Sequence, residues 1–255
     1  MGRARLVIKI ARVPLPERTV AQLSRRTAQI TATALPDQAA KADGLWKSSS
    51  FRKYAKPVLR DTLRTMAPGR ERCMFCGDNQ GTAIDHFEPK AHVPLRTFDW
   101  LNHLLACETC NSVHKRDQFP RAADGAPLLI DPTAEDPADH LELTLAAGRY
   151  WARTDKGRET IEVLQLNRGV LVDGRVEAYL GISLWLAGWL HHAVTSQAQE
   201  TARLQRLLRQ QPVAEVFDAM LRQSEAPGAE DVFAGDLRTL ALLRDPKLRT
   251  ALQER

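Results

Sequence analysis

Apolar residues recur at helical spacing along most of this chain, and the exceptions are short. Leu6, Val7, Ile8 and Ile10 form an early run that reads as a strand over residues 5–14, closed by Pro14 and Pro16. A helix is expected from Glu17 to Ile30, and Pro36 with the polar stretch after it reads as a loop. A second helix is expected from about Ser50, as N-cap, to Met66. Phe51, Tyr54, Ala55, Val58, Leu59 and Leu63 supply its apolar face, and Pro57 either kinks it or starts a second helix. Between residues 71 and 120 the helical period fails. Ala83-Ile84 leads into Asp85-His86 as a strand end, Phe98 to Ala106 holds a turn and a second short strand, and Thr109-Cys110-Asn111 opens a helix through Val113, His114 and Lys115. Residues 121–156 read as a connector with extended pieces such as Pro127 to Pro132. Residues 157–255 read as mostly helical, with breaks near Gly169, Pro212 and Pro227-Gly228. There Leu180, Leu184, Trp185, Ala187, Trp189 and Leu190 mark an apolar helix, with the two tryptophans read as core.

Length and composition bound this picture. At 255 residues, 44% hydrophobic and 26% charged, the chain is an ordinary globular one with room for a real core. Arg3, Arg5, Lys9 and Arg12 interrupt any signal-like apolar run, and Leu180 to Leu190 is too short to span a bilayer, so a cytoplasmic protein is expected. Residues 1–70 carry fifteen Lys/Arg against four Asp/Glu, and the remainder twenty-one against twenty-seven. The N-terminal part is therefore strongly basic, as a polyanion-binding surface or a solvated face would be. On the second helix Arg52, Lys56, Arg60 and Arg64 recur every fourth residue, so they share one stripe suited to phosphate contacts.

Four cysteines, the only ones in the chain, form two CxxC pairs: Cys73 with Cys76, and Cys107 with Cys110. Two residues between ligands let one tight turn aim both sulfurs at a metal, so the pairs read as one tetrahedral Zn²⁺ site. Two disulfides are the other pairing, disfavoured for a cytosolic chain. A four-thiolate site has no open position, so this zinc is structural. Bracketed by the pairs are Asp85-His86 and, just after Cys110, Asn111. The expected strand, loop, strand and helix bring Asp85 and Asn111 to face each other with His86 beside them. His can take a proton from water near neutral pH, and a carboxylate with an amide oxygen suits a hard cation such as Mg²⁺ or Mn²⁺. That combination suits phosphodiester hydrolysis.

Residues 73–115 resemble the zinc-containing HNH (ββα-metal) endonucleases. Cys73-x-x-Cys76, Asp85-His86-x-x-Pro89, Asn102, Cys107-x-x-Cys110-Asn111 and Lys115 carry the match. The resemblance implies that His86 is the general base, Asp85 and Asn111 bind the catalytic metal, and Asn102 braces the loop and helps orient His86. It places Lys115 where some members have a further histidine ligand, with His114 one residue short. Longer phrases, Ile84 to Lys90, Phe98 to Asn102, Cys110 to Pro120 and Leu129 to Pro132, are similar to the PtuB family of Septu and retron-associated anti-phage systems. That similarity implies a DNA nuclease working with a PtuA-like ABC-type ATPase. Lys90 and Lys115 join the stripe as candidate nucleic-acid contacts. His92, His103, His140, His191 and His192 need no chemistry, and Glu88 is not read as a ligand.

The fold class expected is mainly α with a small zinc-stabilised ββα-metal module, hence α+β. The divisions are a basic N-terminal region (1–70), the HNH module (71–120), a connector (121–156) and a helical region (157–255). A non-catalytic zinc module that binds nucleic acid, or a partner-docking subunit, stands as the alternative to the nuclease.

Overall fold

The computed structural model of the protein describes residues 10–194 and 198–253. Two small two-stranded sheets sit among helices, so the fold is mainly α with some β, as expected. The helices are α1 (Glu17–Thr31), α2 (Gln38–Lys47) and α3 (Lys56–Met66) on the N-terminal side. After the first sheet come α4 (Asp155–Leu164), α5 (Gly169–Val194), α6 (Ala198–Gln210), α7 (Glu215–Gln223), α8 (Ala229–Val232), α9 (Leu237–Leu243) and α10 (Pro246–Gln253). Helix breaks fall near Gly169, Pro212 and Pro227-Gly228 as read, and Gly228 takes φ +79° ahead of α8. No helix among the described residues is long and apolar enough to cross a membrane.

Several local expectations change. Residues 5–9 of the expected first strand lie outside the described residues, and from Ile10 to Pro14 no strand forms. Ile10 instead donates its N–H to the Pro132 carbonyl. The stretch after Pro36 is not a loop: Leu35–Asp37 makes a 3₁₀ turn that runs into α2. Its polar sequence hid a helix that buries only Gln38, Ala42 and Trp46, spaced four apart. Ser50 does not cap the next helix, because it already has helical φ −64° and ψ −42°. Ser48 is the extended residue there, and its Oγ accepts the Phe51 N–H at 3.4 Å. Phe51–Ala55 forms a wide π-helical turn before α3, whose first turn holds Pro57. A residue without an N–H is tolerated at such a helix start.

The first sheet pairs β1 (Ala83–His86) with β2 (His103–Ala106), antiparallel, in a register that sets Asp85 opposite Leu104 and His86 opposite His103. A π-helical segment, Thr109–Lys115, follows, giving the expected order of two strands and a helix. The second sheet, β3 (Leu141–Thr144) with β4 (Arg149–Ala152), lies in the stretch read as a connector. Leu141 and Leu143 point inward while Glu142 and Thr144 face solvent, the period-two pattern of a half-buried strand.

Three apolar clusters hold these parts together. Leu23, Ile30, Trp46, Phe51, Leu59 and Leu63 pack against Phe87, Phe98, Leu104 and Leu105, so the N-terminal helices lie directly on the first sheet. Ile182, Leu186, Trp189, Phe217, Phe233 and Leu243 form the core of the helical half. Between them, Leu164, Leu166 and Leu171 pack around the four cysteines.

Candidate active site

The two CxxC turns meet at the base of the first sheet. All four sulfurs lie within 4.8 Å of one another and all four residues are buried. None is in a disulfide, and Cys76 Sγ stands 4.0 Å from Cys107 Sγ. A tetrahedron with Zn–S bonds of about 2.3 Å separates its sulfurs by roughly 3.8 Å, so the cluster fits Zn²⁺ with a contraction of at most about 1 Å. Further donors surround the sulfurs. Asn79 Nδ2 lies 3.9 Å from Cys107 Sγ, the Cys110 N–H donates to the same sulfur, and Arg168 Nη2 from the α4–α5 turn lies 3.8 Å from Cys110 Sγ. Such outer contacts orient ligands and offset thiolate charge. The helical half also touches the first turn: the Val213 N–H donates to the Gly77 carbonyl at 2.9 Å. Gly77 has φ +68°, and a Cβ there would collide with the Glu215 carboxylate.

Above this base, Asp85, His86 and Asn111 line one open cleft of about 500 Å³. Lys56, Arg60, Lys90 and Arg116 line it too, so its walls are basic. The stripe read on α3 therefore divides. Lys56 and Arg60 reach the cleft, whereas Arg52 and Arg64 do not, and Arg64 instead meets Asp61 and Glu71 at 3.5 and 3.3 Å. Lys90 lines the cleft while paired with Asp43 of α2.

His86 is 8% exposed, and its Nε2 lies 3.1 Å from the Thr97 carbonyl. A carbonyl can only accept, so Nε2 carries the proton and Nδ1 keeps the basic lone pair. Burial, then neighbouring His103, holds the imidazole well below the ordinary histidine range, so it is neutral near pH 7. Trp46 stacks edge-on against it with ring centroids 4.4 Å apart. His103 donates to the same Thr97 carbonyl at 3.0 Å, and burial pushes its pKa down to about 4.

Asn102 is fully buried behind the cleft. Its Nδ2 donates to the Glu88 and Arg96 carbonyls at 3.0 and 3.1 Å, and its Oδ1 accepts the Glu88 N–H at 2.8 Å. These bonds tie both ends of the loop that delivers Thr97. Glu88 is 8% exposed and clamped by Arg96 and Arg121. Its carboxylate is thus turned to two guanidinium groups and not to open solvent.

Asp85 is also buried, and burial pushes its carboxyl up to about 6 against the pull of Lys115. One carboxylate and one amide oxygen are a donor set for a hard cation. Asp85 Oδ2 fits that role, being a buried oxygen with no hydrogen bond. Lys115 stands 3.1 Å from it without hydrogen-bond geometry. Lys115 itself corrects a sequence expectation. It is 0% exposed, so it is no surface contact for phosphate, because its ammonium is drawn inward to Asp85. His114 is not among the residues lining the cleft.

No family model matches the chain. It is similar to the Septu protein PtuB of Bacillus mycoides (strain KBAB4). Identity is 26% over 179 residues, which is 58% of this chain and 60% of that protein, so less than two thirds of the relative is spanned. The likeness to PtuB read from the motif phrases is borne out.

Sequence reasoning missed four contributors. Trp46 lay in a presumed loop, and Thr97 acts through its main chain. His103, which the sequence reads as needing no chemistry, packs against His86 with ring centroids 5.1 Å apart. Arg12 counted only as charge, yet it donates to the carbonyls of Trp100, Leu101 and His103, pinning the start of β2. Of these, His103 left a readable signal, as a polar residue opening the otherwise apolar strand His103–Ala106.

Proposed function

We propose that this chain is a metal-dependent HNH endonuclease that hydrolyses DNA phosphodiester bonds. It serves as the nuclease subunit of a Septu-like anti-phage system, with a PtuA-like ABC-type ATPase as partner. The observation that carries the reading is the convergence of Asp85, His86 and Asn111 on one cleft with cationic walls. Similarity to the Septu protein PtuB supports the anti-phage role, and the ATPase partner is what the motif resemblance implies.

In this reading Lys56, Arg60 and Lys90 draw a phosphodiester into the cleft. His86 Nδ1 takes a proton from the attacking water, since Nε2 is committed to Thr97. Asp85 and Asn111 hold Mg²⁺ or Mn²⁺, which supplies charge neutralisation at the phosphoryl and leaving oxygens when bound. Cys73, Cys76, Cys107 and Cys110 hold a structural Zn²⁺ that keeps the helix bearing Asn111 against the strand bearing Asp85. Trp46 and His103 keep the His86 ring from turning.

The test is a supercoiled-plasmid assay with Mg²⁺ or Mn²⁺, comparing wild type with His86→Ala, each alone and with a PtuA-like ATPase. Nicking or linearisation by the wild type only is the expected result. Cleavage by neither protein under any of these conditions would replace the nuclease with a non-catalytic zinc module that binds nucleic acid or a partner.

A further inference from the structure

Lys115 is the last residue of the π-helical segment, and Asn111, four residues before it, lines the same cleft as Asp85 and His86. The Lys115 ammonium is wholly enclosed. It donates to the His86 carbonyl at 2.8 Å and to Asp85 Oδ1 at 3.2 Å, with Asp85 Oδ2 at 3.1 Å. Two charges taken out of water at this depth persist only when each has its partner. The pair therefore staples the helix that carries Asn111 to the strand that carries Asp85 and His86. It also fixes the carboxylate plane: the ammonium sits against both oxygens, donating to Oδ1 at 3.2 Å and standing 3.1 Å from Oδ2, which has no hydrogen bond and belongs to a residue lining the cleft.

From this geometry we infer that Lys115 is a positioning residue for a divalent-cation site. It sets the Asp85 carboxylate so that Oδ2 and the Asn111 amide oxygen face the same ion, and it anchors the strand end that presents His86. This rests on the reading of Asp85 and Asn111 as the cation site. Lys115 touches neither substrate nor reacting atoms, and its contribution is direction.

The experiment is Mn²⁺ titration of zinc-loaded full-length protein, followed by electron paramagnetic resonance of free Mn²⁺, for wild type, Lys115→Met and Lys115→Gln. Plasmid cleavage against Mn²⁺ concentration runs in parallel. Lys115→Met is expected to weaken Mn²⁺ binding by about 10–100-fold, the usual effect of losing an outer partner of a metal ligand. The activity curve should move to higher Mn²⁺ by the same factor. Lys115→Gln, which keeps a donor for the His86 carbonyl, tests the same loss should the Met variant fail to fold, as judged by circular dichroism. Unchanged Mn²⁺ affinity in a folded variant would overturn the inference alone. Tighter binding would also overturn it, because the ammonium would then be occupying the cation's seat. A wild type that binds no Mn²⁺ would remove the cation site itself, and this inference with it.

Discussion

Asn102→Ala tests how the loop behind His86 is held. Asn102 is 0% exposed and makes three hydrogen bonds, to the Glu88 N–H and to the Glu88 and Arg96 carbonyls. Truncation removes all three and leaves one buried donor and two buried carbonyls without this partner. A net hydrogen bond is worth about 1 kcal/mol, and an orphaned buried group costs about 1–3 kcal/mol more. Carbonyls tolerate under-satisfaction better than N–H groups, so the sum falls at about 3–5 kcal/mol. Asn102→Asp should cost at least as much. Its carboxylate can still accept the Glu88 N–H, but its second oxygen faces two carbonyls in a site closed to water. Urea unfolding with a common m-value measures both variants, and limited proteolysis reports whether residues 87–97 loosen. Plasmid cleavage should fall by on the order of 100-fold in molecules that remain folded, because misplacement of a catalytic group by about 1 Å has that effect. A cost below about 1 kcal/mol with an unchanged proteolysis pattern would refute the brace. An Asp variant as stable as wild type would refute the two donated bonds in particular.

Two further outcomes follow, one from the cleft and one from the buried His103. In a His86→Ala background, Lys56→Gln with Arg60→Gln should reduce the slope of log affinity for duplex DNA against log salt by about 2, near one unit per lost phosphate contact; Arg52→Gln, outside the cleft, should leave it unchanged. A slope that ignores the cleft pair but responds to Arg52 would move the DNA path elsewhere. For pH, burial pushes His103 down to about 4, so below pH 6.5 the unfolded chain takes up a proton that the folded residue refuses. Its contribution is therefore present at pH 7 and lost as pH falls toward 4, about 2 kcal/mol of it by pH 5. The Asp85 carboxyl, raised to about 6, works in the opposite sense between about 6 and 3.8. Urea midpoints at pH 7 and pH 5 should thus fall less in His103→Gln than in the wild type, and equal falls would show that His103 is not held neutral.

The four-cysteine cluster was legible because each CxxC pair brings its two sulfurs together within one turn. Two CxxC pairs, Asp85-His86 and Asn111 sit on short turns, strand ends and one helix start, and local geometry aims them almost regardless of what packs outside. The breaks in the helical half were legible for a similar reason, since Pro212 and Gly228 act on their own backbone. Tertiary structure alone decided which neighbours complete the site. Trp46 reaches His86 from a helix whose sequence looks like a polar loop, since burying one side chain per turn leaves little periodic signal. The four-residue period of Arg52, Lys56, Arg60 and Arg64 gave a stripe but not which part of it borders the cleft; packing of α3 against β2 selects Lys56 and Arg60. Lys115 shows the limit most sharply. In sequence a lysine is a mobile charge for solvent or phosphate, and only the fold, by burying Asp85 thirty positions away in the chain, turned it inward.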